Sequence, residues 1–170
     1  MYSLVIPVYK NEESLPDLLD VLAGMNSSLG GNLEVVIVVD GSPDNCYEIL
    51  RARLPKMPFR SQLLLHSRNY GSFAAIRVGM QVANGDFFAV MAADLQEPPE
   101  LALEFFRLLE ADEADVAVGT RDARNDPLRS RWSSEIFWWV YRKFIIKDIP
   151  AGGVDMFGCN RQFRNELLSL

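Results

Sequence analysis

Short β-branched runs alternate along this chain with stretches of helical period, and that alternation constrains the fold more than any other feature. The runs are Leu4–Val8, Val35–Val39, Leu63–His66, Phe87–Ala92 and Val116–Gly119. Between the first two, Leu15, Leu18, Leu19 and Leu22 follow i, i+3, i+4, i+7, which predicts one apolar helical face. Asn11 can cap that helix, with Glu12 and Glu13 at its positive end. Ile49, Leu50 and Leu54 predict a second helix starting near Asp44, and Ala74, Ala75, Val78 and Val82 a third. Pro99 suits the first turn of a fourth, with Leu101, Phe105 and Leu108 as its inner face. A further helix opens over 161–170. Strands alternating with helices imply an α/β fold: a Rossmann-like, three-layer αβα sandwich whose sheet is mainly parallel, apart from one late reversal.

The 170 residues suffice for one domain and are short for two. The expectation is therefore a single domain over 1–170, truncated at its C-terminal end. The chain carries 17 basic and 23 acidic residues, a net charge of −6. Nucleic-acid binding needs a basic footprint and is not expected. Two cysteines, Cys46 and Cys159, are too few for a disulfide framework or a thiolate zinc site, which suits a reduced cytoplasmic setting. No run reaches the ~18 apolar residues of a membrane span, and the first residues lack a signal peptide's basic segment.

The segment 129–147 stands apart. It holds all three tryptophans, Trp132, Trp138 and Trp139, with Phe137, Tyr141 and Phe144, and it is studded with Arg129, Arg131, Arg142, Lys143 and Lys147. As a helix it would be apolar around most of its circumference. Two readings stay open: a core or homo-oligomer interface helix, or an interfacial helix making peripheral membrane contact.

In a doubly wound sheet ligands bind outside the carboxyl ends of the strands, and Asp40 and Asp94 both follow strand runs. Either could be an ordinary turn residue. Around Asp94, however, Gln96 and Glu97 crowd the same loop before Pro98-Pro99. Oxygen ligands of this kind suit a hard cation, Mg²⁺ or Mn²⁺, which takes one or two carboxylates and completes its shell with water and phosphate. His66, the only histidine, has no partner in a readable motif and reads as structural. No P-loop, dinucleotide fingerprint or serine-nucleophile elbow is present.

Four stretches then carry a resemblance: Leu4-Val5-Ile6-Pro7-Val8-Tyr9, Glu34–Asp40 with Gly41-Ser42-Pro43-Asp44, Arg68-Asn69-Tyr70-Gly71, and Ala93-Asp94-Leu95-Gln96-Glu97-Pro98-Pro99-Glu100. Their order and spacing resemble family 2 glycosyltransferases of the GT-A fold, in particular the dolichol- and polyprenyl-phosphate sugar transferases. The resemblance covers essentially the whole chain. It implies an inverting, metal-dependent transfer from a nucleotide-sugar donor, a UDP- or GDP-sugar, to a polyprenyl phosphate at the cytoplasmic face of the membrane. A saccharide hydroxyl in cell-envelope polysaccharide synthesis is the alternative acceptor. Position by position it puts Pro7 and Tyr9 at the base pocket, Asp40 on the nucleoside, and Asp94 with Gln96 on a Mg²⁺ or Mn²⁺ ion. It puts Arg121 at the diphosphate and Asp155 near the acceptor, so Asp94, Arg121 and Asp155 are the expected catalytic residues. Two departures stand out. The first acid of the family's Asp-x-Asp motif is Ala92, and the acidic pair usual before Gly-Ser is Val39-Asp40. A catalytically blunted nucleotide-sugar binding module is therefore the rival reading.

Overall fold

The computed structural model describes residues 1–119 and 156–169. Arg121, Asp155 and the aromatic-basic segment 129–147 lie outside the described residues. The chain groups into two compact units, Met1–Ala117 with Met156–Leu170, and Val118–Asp155. Every described helix and strand belongs to the first unit, apart from Val118, the last residue of an edge strand.

In chain order the elements are β1 (Tyr2–Val8), α1 (Leu15–Ser28), β2 (Leu33–Val39), α2 (Cys46–Arg53), a 3₁₀ turn (Leu54–Lys56), β3 (Arg60–Leu65), α3 (Ser72–Val82), β4 (Phe87–Val90), α4 (Pro99–Glu110), β5 (Val116–Val118), β6 (Phe157–Asn160) and α5 (Arg161–Ser169). They form one six-stranded sheet in the order β3-β2-β1-β4-β6-β5. β1 pairs in parallel with β2 and β4, and β2 with β3. The late reversal is β6, antiparallel to β4. Its four residues, Phe157-Gly158-Cys159-Asn160, have no alternation long enough to announce a strand.

All seven residues of β2 are buried, Glu34 among them, and Val35–Val39 reads as an uninterrupted apolar run. The pleat divides β1 between two cores. Leu4, Ile6 and Val8 pack with Leu15, Leu18 and Leu22 of α1, Leu50 of α2, and Phe105 and Phe106 of α4. Val5 packs on the other face with Met80 of α3, Phe88 and Cys159. Gly79 makes that second layer close: a Cβ there would lie 2.4 Å from Val5 Cγ1.

Several local expectations shift. α1 buries the four predicted leucines, but Ser14, not Asn11, precedes its first turn. The Asn11 side chain instead accepts a hydrogen bond from the Tyr9 amide at 3.0 Å, closing a local turn at the end of β1. α4 buries Ala102, Phe105, Phe106 and Leu109: Phe105 lies on the predicted face, and the rest of the stripe falls one position on from Leu101 and Leu108. Leu101 and Leu108 flank it, half-buried, because the apolar sector is wider than one row. β4 ends at Val90, so Met91–Asp94 leave the sheet as a loop rather than extending the strand to Ala92.

Candidate active site

The chain runs from β1 outward to β3, then returns to the other side of β1 with β4. The crevice of this open sheet therefore lies where β1 and β4 diverge. The ladder between them stops at the bond from the Met91 amide to the Val5 carbonyl, 3.1 Å. Pro7 is the next residue of β1 facing that side. Its missing N–H falls where β4 has already left, so the proline costs no ladder bond and sits at the mouth of the crevice. Tyr9 follows, 40% exposed.

A cleft of about 500 Å³ opens here, lined by Lys10, Asn11, Glu12, Glu13, Ser14, Pro43, Asp44 and Asp94. Three loops meet around it, and side chains tie them together. Lys10 donates its amide to Ser42 Oγ at 2.7 Å, and Ser42 Oγ donates to Asp44 Oδ1 at 2.6 Å. The Glu12 carboxylate accepts from the Asn45 amide at 2.9 Å. Ser14 Oγ donates to the Ala93 carbonyl at 2.8 Å, joining the loop after β1 to the loop after β4. Burial pushes the Asp44 pKa up. Hydrogen bonds from Ser42, from the Cys46 thiol and amide, and from the Glu12 amide outweigh it and hold the carboxyl below its ordinary value.

Asp94 is exposed at the cleft wall, with Oδ1 accepting the Gln96 amide at 3.1 Å. Leu95 between them has φ +57°, the left-handed region a leucine rarely occupies, while its side chain packs on the core. The turn thus turns both Asp94 and Gln96 outward. Among the described residues no group of three or more His, Cys, Asp or Glu side chains is placed to hold a metal. One carboxylate beside one amide nevertheless fits Mg²⁺ or Mn²⁺ when phosphate oxygens and water complete the shell. Ala92 contributes no oxygen.

Asp40, the residue expected on the nucleoside, directly follows the end of β2. Its side chain is only 3% exposed, and its bonds go to its own chain. Oδ1 takes His66 Nδ1 at 2.7 Å and the Tyr70 amide at 3.0 Å; Oδ2 takes the Gly71 amide at 2.8 Å. Burial pushes its pKa up, but the two amides and the imidazole outweigh that and hold the carboxyl below its usual range. Asp40 therefore fixes the loop between β3 and α3. Gly41 has φ +59°, and a Cβ there would stand 2.2 Å from the Arg68 carbonyl carbon, so the two loops are pressed together. The ring of Tyr70 is edge-on to His66 at 5.4 Å and under the Arg68 guanidinium at 4.8 Å.

The structure thus gathers Pro7, Tyr9, Asp40, Asp94 and Gln96 at one end of the sheet. The residues missed by sequence reading are those that lash the loops together: Glu12, Ser14, Ser42, Asp44 and His66. Their signal is three-dimensional, since each partner lies 26 to 79 residues away for the inter-loop bonds.

Comparison with known proteins decides the family. The profile of glycosyl transferase family 2 matches residues 3–169. The chain belongs to that family. It is 41% identical over 138 residues to an undecaprenyl-phosphate 4-deoxy-4-formamido-L-arabinose transferase of Pseudomonas paraeruginosa, covering 80% of this chain and 40% of the relative. The protein of the same name from Edwardsiella ictaluri is 40% identical over 169 residues, covering 98% of this chain and 50% of the relative. The chain thus spans about half the length of the curated relatives it matches. Among solved structures, the mannosyltransferase PcManGT of Pyrobaculum calidifontis, in complex with GDP-Man and Mn²⁺, aligns with a TM-score of 0.68 at 17% identity. That alignment covers 98% of this chain and 46% of the other. S. aureus TarS 1-349 in complex with UDP-GlcNAc aligns with a TM-score of 0.52 at 22% identity, over 74% and 36%. The fold of this chain is accordingly GT-A.

Proposed function

We propose that these 170 residues form one domain, the donor-binding catalytic part of an inverting polyprenyl-phosphate sugar transferase working at the cytoplasmic face of a membrane. The observation that carries the reading is the placement of Asp94: an exposed carboxylate after β4, on the wall of a cleft that opens beside the end of β1. The relatives' printed names support the acceptor class, a polyprenyl phosphate, and make 4-deoxy-4-formamido-L-arabinose the first sugar to try. Among the described residues no helix is long and apolar enough to cross a membrane. The aromatic-basic segment 129–147 is the candidate for peripheral lipid contact, with a core or homo-oligomer interface as its other reading.

The reaction is displacement at the anomeric carbon of a nucleotide-bound sugar, with a nucleoside diphosphate leaving. Pro7 and Tyr9 border the base pocket, and Asp40 shapes it through His66 and the amides of Tyr70 and Gly71. Asp94 and Gln96 would hold a Mg²⁺ or Mn²⁺ ion, which when bound offsets the charge developing on the diphosphate. Arg121 would add a planar guanidinium to the same charge, and Asp155 would stand near the acceptor. A phosphate acceptor needs no strong base, because its second ionisation near pH ~6 leaves it largely dianionic at neutral pH. A saccharide hydroxyl would need a base within about 3 Å, a task for Asp155 or Glu97.

Ala92, in place of the first motif acid, favours a second reading, a donor-binding module without turnover. Release of nucleoside diphosphate from a panel of UDP- and GDP-sugars, with Mn²⁺ and polyprenyl phosphate supplied, separates the two. Turnover that depends on the polyprenyl phosphate is the expected result. Tight donor binding without release would establish the module instead.

A further inference from the structure

The cleft carries a marked imbalance of charge. Among the described residues Glu12, Glu13, Asp44 and Asp94 line it, against one cation, Lys10. A nucleoside diphosphate entering such a cleft meets four carboxylates, and one metal ion shared with Asp94 offsets only part of that repulsion.

Lys10 is placed to offset more of it, in addition to the Arg121 proposed for the same diphosphate. It follows the central strand β1 at the crevice mouth, with φ +58°, a conformation that strains a lysine. The strain is held from outside: the amide is pinned to Ser42 Oγ, and the next turn is closed by the Asn11 side chain on the Tyr9 amide. The side chain is exposed, and its ammonium lies 5.4 Å from the centroid of the Tyr9 ring. Among the described residues that ammonium makes no ion pair, although four carboxylates line the same cleft. A lysine held in a costly backbone conformation, guided by an aromatic face and uncommitted to a carboxylate, is arranged to meet an incoming anion. We propose that Lys10 is a binding residue for the donor's diphosphate, supplementing a metal site thinned by Ala92. The proposal rests on the nucleotide-sugar reading and names a residue that the family motifs do not assign.

The test is a titration of the 170-residue chain followed by NMR, with UDP, GDP, uridine and guanosine as probes in the presence of Mg²⁺. Lys10→Asn removes the charge while keeping a residue that tolerates the left-handed backbone. Lys10→Arg keeps the charge. The expected result is that Lys10→Asn weakens the preferred diphosphate by roughly fivefold, as for an exposed charge contact, and more at low salt. Affinity for the matching nucleoside should be unchanged, and Lys10→Arg should bind the diphosphate within about twofold of the parent, its charge being retained. Equal diphosphate affinity in Lys10→Asn and the parent would overturn the proposal. So would equal losses for nucleoside and diphosphate, which would make Lys10 a part of the base pocket. Failure of the parent chain to bind either diphosphate would overturn the donor reading itself.

Discussion

Asp40 is a strand-end carboxylate whose hydrogen bonds brace a loop beside the candidate site. Buried, and bonded to His66 and to the amides of Tyr70 and Gly71, it holds the loop that leads into α3. Removing it leaves those three donors without their acceptor. Asp40→Ala should therefore lower stability by about 2–4 kcal/mol, the range for breaking a buried charged network, seen as a lower urea midpoint at unchanged slope. Donor affinity should fall by about 1.5–3 kcal/mol in calorimetry, because the loop no longer holds its shape. His66→Gln, which can still donate to Asp40, should retain more of both quantities than His66→Leu. If His66→Leu matched the parent in stability and donor affinity, the His66–Asp40 bond would carry no weight.

At the scale of elements, the close approach of α3 to β1 through Gly79 makes a direct forecast. Gly79→Ala forces a methyl to within 2.4 Å of Val5 Cγ1 and should cost about 1–3 kcal/mol by overpacking, measured by chemical denaturation. Val5→Ala in the same chain should recover part of that loss, so the two changes should be non-additive. Sequence reading captures β1, β2 and α1 because their signals are local: an unbroken apolar run buried on two faces, and four leucines in one helical row. It can place Asp94 and Gln96 on one loop because they are near neighbours in the same turn. It loses β6, four residues long, whose strand character comes from pairing with β4. It also puts Asn11 at a helix cap and leaves His66 without a partner, since the Asn11 turn and the Asp40 contact depend on how the loops meet in space. Lys10 carries no signal at all, because nothing in the sequence fixes its left-handed backbone.

At the scale of the whole molecule, three partly or fully buried carboxylates link both ends of the sheet to acid stability. Asp40 and Asp44 brace the loops at the carboxyl end. At the amino end, burial pushes the Glu34 pKa up, but Ser3, Asn84 and Gln62 outweigh it and hold the carboxyl low. Each has a folded pKa below its unfolded value. Their stabilisation is thus fully present above the unfolded values of about 4–4.5 and lost as pH falls through the folded ones. Urea midpoints should hold steady from pH 7 to about 5 and drop steeply below, and Glu34→Gln should flatten that drop. Turnover at the other end of the sheet tests the central claim, that Asp94 anchors the donor's metal–diphosphate at the crevice beside β1. The decisive measurement is release of nucleoside diphosphate by the parent chain, Asp94→Asn and Ala92→Asp, each with and without Mn²⁺. Asp94→Asn should lose about a hundredfold or more in metal-dependent release while melting like the parent, and Ala92→Asp should reach half-maximal rate at lower Mn²⁺. Normal release by Asp94→Asn, or release by the parent that survives exhaustive chelation, would contradict the account.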